Sequence, residues 1–218
     1  MKNTNFVKWH KHQELEEIAV KIHQLYGADV PVDIDYLVEI MGLEIREISR
    51  LKEDFGLYGL LAKIKGKFVI FVQRGDLKLT NYHTNLTIAE ELSHCILHRD
   101  HFSDVNSLED AYNFYIKLNS QQSEMMIEFN AKQLAYAILL PRADLRKRAD
   151  EAYEKNKTAI FQIVKTASED ACDVVISSIA SSLSDIYRVP DGAIAFRLKT
   201  KIVGFKDFLS KNLKKLCE

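Results

Sequence analysis

The stretch Leu86-Thr-Ile-Ala-Glu-Glu-Leu-Ser-His-Cys-Ile-Leu-His98 decides how this chain of 218 residues folds. Its apolar residues recur at helical spacing, which predicts an amphipathic helix that begins at about Asn85. Four of the seven histidines of the chain lie in or beside this stretch: His83, His94, His98 and His101. Two adjacent glutamates lie among these imidazoles, so this helix is the candidate functional segment of the chain.

Within this helix, Glu90-Glu-Leu-Ser-His94 is similar to the H-E-x-x-H pattern of zinc-dependent hydrolases. In that pattern two histidines one turn apart hold zinc, and the glutamate acts as general base. Here the glutamate, Glu91, and the second histidine, His94, are present, but Glu90 stands where the first histidine belongs. Taken alone, a glutamate and a histidine four residues apart are more often a solvated pair on a helix surface than a metal site.

Working upstream, the pattern predicts two helices, a half-buried strand and a hairpin. The second hairpin strand is a continuous apolar run, which favours a place inside the sheet rather than at its edge. In chain order these elements are Leu15–Tyr26 with Gly27 as its stop, Pro31–Gly42 with Asp33 as its N-cap, Leu43–Ile48, and Gly56–Gln73 with a turn at Lys65-Gly66.

Working downstream, the pattern predicts helices only. A loop and a helix are expected over Arg99–Asn119, then a long helix from about Gln121 to Leu140, and helices throughout 142–218. Helices, a small sheet and then helices alone define the fold class as α+β. We place the domain boundary at residue 145, which gives domains 1–145 and 146–218.

Two motifs of this sequence resemble the ImmA/IrrE family of metallopeptidases. The family core is approximately F-T-x-A-H-E-L-G-H-x-L-L-H, and some tens of residues later E-x-x-A-[ND]-x-F-A-x-x-L-L-M-P. The chain has the stretch quoted above and then Glu128-Phe-Asn-Ala-Lys-Gln-Leu-Ala-Tyr-Ala-Ile-Leu-Leu-Pro141. The resemblance covers roughly residues 14–198. It implies a zincin-like helical core in 1–145 and a helix-turn-helix-like segment, Ile179–Leu198, in 146–218.

The resemblance implies a role for each matching residue. Glu91 would be the general base, and His94 and Glu128 would be metal ligands. His98 matches the histidine at the end of the family's motif helix and is a further candidate ligand. Glu90 departs from the pattern at the first ligand, and Lys132 departs from it where an Asn or Asp would orient that ligand.

These two departures leave two interpretations open. In the first, the metal site has been dismantled, and Glu90 and Lys132 form an ion pair in its place. In the second, the site has been rebuilt, with Glu90 or His98 as the replacement ligand beside His94 and Glu128. Such a set would bind zinc, manganese or iron, whereas the first interpretation requires no metal. Glu124 is an alternative to Glu128 as the distal acid.

Each interpretation predicts a different function. A working site would make the protein a metal-dependent endopeptidase, whose substrate by resemblance is a helix-turn-helix transcriptional repressor. A dismantled site would make it a catalytically inactive, peptidase-like module that binds a repressor or another protein partner and so regulates transcription.

Composition limits the other classes of function. Thirty basic and 31 acidic residues give a net charge of −1, which offers no sign of nucleic-acid or membrane binding by the whole chain. No apolar run reaches the roughly 20 residues of a membrane span, and the N-terminus is too polar for a secretory signal. Three widely spaced cysteines favour a reduced, cytoplasmic protein. DNA contact is the weaker alternative, with Arg197 in a basic C-terminal segment as the base-reading residue.

Overall fold

The structure is a computed structural model that describes residues 9–27, 29–74, 78–102, 105–118, 125–166 and 171–217. The chain forms two compact units, Met1–Leu139 and Leu140–Glu218. The predicted α+β class is confirmed, since the first unit combines helices with a small sheet and the second is helical in all its described parts.

The first unit contains six α-helices, three strands and one short 3₁₀ helix among its described residues. They are α1 (His12–Tyr26), α2 (Ile34–Ile40), β1 (Glu44–Glu47), α3 (Leu51–Phe55), β2 (Gly59–Ile64), β3 (Lys67–Val72), α4 (Lys78–Leu97), the 3₁₀ helix (Arg99–Phe102), α5 (Leu108–Leu118) and α6 (Met125–Leu139). The motif helix α4 begins about two turns earlier than predicted, and α3 was not predicted. Residues 121–124 of the predicted long helix lie outside the described residues.

Local signals set the ends of the first two helices. Gly27 follows α1 in the left-handed conformation, with φ of 61°, and its N–H donates to the carbonyl of His23. A side chain with a Cβ would be strained there, so glycine suits the position. The carboxylate of Asp33 accepts a hydrogen bond of 3.0 Å from the N–H of Tyr36 at the start of α2. Both predicted helix ends are confirmed.

The sheet has the order β1-β3-β2, so β3 lies in the middle and β2 at one edge. Strand β3 pairs antiparallel with β2 and parallel with β1, placing Ile70 opposite both Leu61 and Ile45. The turn residues Lys65 and Gly66 both have positive φ, as tight hairpin turns require. The central place predicted for the apolar strand is therefore confirmed.

Helix α4 holds the core of the first unit together. It packs most extensively against α6 and also contacts β2, β3 and α2. Ile88, Ala89 and Leu92 on α4 are fully buried, and Leu134 and Ile138 on α6 are buried as well. This packing fixes the polar face of α4 relative to α6, where the candidate site lies.

The second unit consists of five helices among its described residues: α7 (Arg142–Lys155), α8 (Lys157–Thr166), α9 (Ala171–Tyr187), α10 (Asp191–Lys199) and α11 (Phe205–Cys217). The predicted helical character of this region is confirmed. Helices α9 and α10 pack closely on each other.

The structure corrects the interpretation of Arg197 as a residue that reads DNA bases. Its side chain lies on α10 but is only 1% exposed, so the guanidinium faces the interior of the unit. Two other basic residues, Lys199 and Lys206, form ion pairs with Asp173 at 3.0 and 3.4 Å. Among the described residues, the structure contains no helix of the length and apolarity that crossing a membrane requires.

Candidate functional site

Helices α4 and α6 bring four predicted site residues together. Glu90, Glu91 and His94 lie within five residues of one another on α4, and Glu128 lies in the first turn of α6. His94 and Glu91 are almost completely buried, at 1% and 5% exposure, whereas Glu90 and Glu128 are partly exposed. The site is therefore a cluster of three carboxylates and one imidazole, with one side open to solvent.

His94 and Glu128 face each other across the gap between α4 and α6. Nε2 of His94 lies 3.4 Å from Oε1 of Glu128. A charge-assisted hydrogen bond is shorter, about 2.7–2.9 Å. Two donor atoms that share a tetrahedral zinc ion, each about 2.0–2.1 Å from it, lie about 3.3 Å apart. At 3.4 Å the two side chains form a salt bridge when the imidazole is protonated, and the same separation would accommodate a cation between the two atoms.

Burial raises the pKa of both neighbouring glutamates on α4. The pKa of Glu91 rises to about 7, chiefly because its carboxylate is removed from water, although His94 and a hydrogen bond from Tyr115 oppose the shift. Burial also raises the pKa of Glu90, opposed by Lys132 and reinforced by the charge of Glu128. Each carboxylate is thus easier to protonate than an exposed glutamate.

His94 shows the opposite balance of effects. Burial alone would lower the pKa of its imidazole, but Glu128 and then Glu91 and Glu90 outweigh burial and raise the pKa. Nδ1 of His94 and Oε1 of Glu128 are buried and make no hydrogen bond within the described chain. A divalent cation bound among these carboxylates would offset the repulsion between their negative charges.

The predicted ion pair between Glu90 and Lys132 does not form. Lys132 lies on the exposed side of α6, and its charge lowers the pKa of Glu90 from a distance. No salt bridge within 4.0 Å joins these two described side chains. The physical reason is that the lysine side chain stays in water, where its ammonium group is well hydrated. Burying that group beside the half-buried Glu90 would cost its hydration.

Tyr115 is a site residue that the motifs do not reveal. It lies on α5, is 5% exposed, and its hydroxyl donates a short hydrogen bond to Oε2 of Glu91. The hydroxyl oxygen of Tyr115 accepts a hydrogen bond of 3.4 Å from the N–H of Leu61 on β2, and the centroid of the tyrosine ring lies 6.0 Å from that of His94. The tyrosine stands 24 residues after Glu91, so no local spacing connects the two.

His98 directly follows α4, and its ring lies beside that of His94. Its ring centroid is 5.5 Å from that of His94 and 6.3 Å from that of His101. Burial, followed by the positive charges of His94, His101 and His10, lowers the pKa of His98 to about 3. Both ring nitrogens are buried without a hydrogen bond to the described chain. The structure therefore places His98 beside His94, and no carboxylate among the described residues forms a salt bridge or hydrogen bond with it.

Gly59 at the start of β2 leaves room for Glu91. A Cβ atom at this position would overlap Cγ2 of Thr87 and lie 3.2 Å from both Cγ and Oε1 of Glu91. We expect Gly59→Ala to lower the free energy of unfolding by about 1–3 kcal/mol through overpacking. Gly192→Ala, where a Cβ would meet nothing within 4 Å, is the matched control. Equal stability of the two variants in urea unfolding would contradict this packing.

No family model matches the chain, and no curated protein matches it. As the side chains stand, the described residues contain no group of three or more His, Cys, Asp or Glu arranged to hold a metal ion. Glu124, the alternative distal acid, lies outside the described residues.

Proposed function

We propose that the protein is a metal-dependent peptide hydrolase with a rebuilt, carboxylate-rich metal site. The observation that carries this proposal is the convergence of Glu90, Glu91 and Glu128 on the buried His94, with the His94–Glu128 contact at 3.4 Å. Three carboxylates in a largely buried site repel one another unless protons or a cation neutralise them. Lys132 offsets only part of the cost of burying Glu90, so a bound cation would relieve the repulsion that remains.

In this proposal Glu90, His94 and Glu128 hold the cation. Two carboxylates and one imidazole suit zinc, manganese or iron, and side-chain rotation would be needed to bring all three to one point. When bound, the cation would act as a Lewis acid that polarises the scissile carbonyl and water. The long, partly exposed side chains of Glu90 and Glu128 have the freedom to make this adjustment.

Glu91 is the general base of the proposed reaction. A base works best when its pKa lies near the working pH, and burial raises the pKa of Glu91 to about 7. The carboxylate accepts a proton from the attacking water and can return it to the leaving amine. Glu91 lies on the same helix as the proposed ligands Glu90 and His94.

The substrate class comes from the resemblance to ImmA/IrrE peptidases. We propose a zincin-like core formed by α4, α6 and the sheet, and a helix-turn-helix transcriptional repressor as substrate. The order of the two motifs along the chain and the packing of α4 on α6 support this assignment.

One observation favours a second candidate, a catalytically inactive module that binds a protein partner. The carboxylate of Glu91 is buried and already accepts a hydrogen bond from Tyr115. A buried carboxylate with this hydrogen bond must become accessible through a local rearrangement before a water molecule can contact it. The inactive module would retain the peptidase-like fold and would act by binding its partner without cleaving it.

Replacement of the base separates the two candidates. We expect the wild-type protein, loaded with manganese or zinc, to cleave purified helix-turn-helix repressors, and Glu91→Gln to cleave at least about 100-fold more slowly. The variant should still bind the cation, because Glu91 is not a ligand in the proposed set. Glu17→Gln, an exposed glutamate on α1, serves as the control. Cleavage by Glu91→Gln at the wild-type rate would refute the catalytic role.

A further inference from the structure

A cleft of about 370 Å³ opens beside the C-terminal end of α4. Its walls come from the connection between α2 and β1, from the hairpin turn with the start of β3, and from the last turn of α4 with the first residue of the 3₁₀ helix. None of the residues of the carboxylate cluster lines it. Small-molecule sites occupy about 300–1,000 Å³, so the cleft is large enough for a small organic molecule.

Both charged residues that line the cleft are basic. Lys67 comes from the start of β3 and Arg99 from the start of the 3₁₀ helix, and no Asp or Glu of the described chain lines the cleft. The charge of Lys67 also acts on Glu44, but that carboxylate already accepts hydrogen bonds of 2.7 and 3.1 Å from Arg46. Two positive charges with no acid in the same lining attract an anion.

Arg99 is held at the cleft by a contact that leaves its hydrogen-bond donors available. The central carbon of its guanidinium lies 5.1 Å from the ring centroid of Phe68, which is a cation–π contact with a buried ring. Within the described part of the chain, the side chain of Arg99 forms no salt bridge or hydrogen bond. A guanidinium carries five N–H donors in a planar fork that matches a carboxylate or a phosphate. An acidic group in the cleft could therefore use these donors.

Apolar side chains provide much of the remaining lining. Leu43, Phe68 and Ile96 line the cleft together with the two cations. Burial of hydrocarbon against such side chains stabilises a bound molecule, and an inorganic anion would gain nothing from it. A few polar groups among apolar side chains are the usual composition of a small-molecule site. The lining therefore suits a molecule that is acidic at one end and apolar at the other.

We propose that this cleft binds a small organic anion whose acidic group contacts Lys67 and Arg99 and whose apolar body packs on Leu43 and Ile96. The acidic group is a carboxylate or a phosphate, since a guanidinium binds either one through two parallel hydrogen bonds. The site is independent of the proposed hydrolase activity, because it shares no lining residue with the carboxylate cluster and requires no metal.

Calorimetric titration of metal-free protein, dialysed free of chelator, tests the site with three probes. Phenylacetate and phenyl phosphate carry the two acidic groups on the same ring, and phenylacetamide is the uncharged control. We expect a dissociation constant of about 0.1–1 mM for one or both anions, as is usual for molecules of this size. The amide should bind at least about tenfold more weakly, because it lacks the charge-assisted hydrogen bonds. Binding of one anion alone supports the site and identifies its acidic group.

Removal of one charge from the cleft distinguishes this site from a general attraction of anions to the protein. Lys67→Gln and Arg99→Gln should each weaken binding of the anion at least about tenfold. Lys65→Gln is the matched control, since Lys65 is an exposed residue of the same hairpin turn that does not line the cleft. It removes the same charge, and at physiological salt it should change the affinity less than about twofold.

Nuclear magnetic resonance locates the bound anion without any variant. Gly42 and Gly66 line the cleft, whereas Gly192 belongs to the second unit. We expect the amide resonances of Gly42 and Gly66 to shift until the protein is saturated and that of Gly192 to stay in place. The proposal is wrong if neither anion binds, if the amide binds equally well, if Lys65→Gln loses as much affinity as the two cleft variants, or if the resonances of Gly42 and Gly66 do not move.

Discussion

In metal-free protein, the stability difference between wild type and Glu91→Gln is expected to change by about 2–3 kcal/mol between pH 5 and pH 8. The pKa of Glu91 is about 7 in the folded state against an ordinary value of 4.5. The folded state therefore binds this proton more tightly than the unfolded state does. The resulting stabilisation is present at pH 5 and is lost as the pH rises through 7, so wild type should lose stability relative to the variant.

The comparison with Glu91→Gln isolates this effect from that of His98. Because the pKa of His98 is lowered to about 3, its burial costs stability as the pH falls below about 6.5, which opposes the trend of Glu91. That contribution is common to both proteins and largely cancels in their difference. Urea unfolding in chelator at four pH values between 5 and 8 measures the profile. Parallel profiles for wild type and Glu91→Gln would contradict the buried environment assigned to Glu91.

Loss of a proposed ligand is expected to weaken cation binding at least about 100-fold. His94→Ala removes the only imidazole of the carboxylate cluster, and Glu128→Gln removes the carboxylate that faces it at 3.4 Å. His83→Ala is the matched control, since His83 lies on the same helix with its side chain exposed. Calorimetric titration with manganese and zinc provides the affinities. Equal affinities of His94→Ala and His83→Ala would show that the cation, if bound, lies elsewhere.

The parts of the fold that follow from local chemistry could be predicted from the sequence. Gly27 and Asp33 mark helix ends because one permits a left-handed backbone and the other supplies an acceptor to a free N–H. The hairpin and the central place of β3 follow from a positive-φ turn and an uninterrupted apolar run. These signals depend only on residues close together in the chain.

The parts that depend on distant residues could not be predicted. The motif placed Glu91 and His94 on one helix, but its spacing contains no information about Tyr115 on α5, which completes the surroundings of Glu91. The exposure of Lys132 and the burial of Arg197 depend on which face of a helix the rest of its unit covers. A charged side chain can lie on either side of that boundary, so sequence alone could not decide the place of either residue.

The most direct test of the proposed function is a titration of metal-free wild-type protein with manganese, zinc and cobalt. The rebuilt site predicts saturable binding of one cation per chain, competed by a chelator and accompanied by a rise in thermal stability. Absence of saturable binding for all three cations would contradict the metal site and leave the inactive, partner-binding module as the function to pursue.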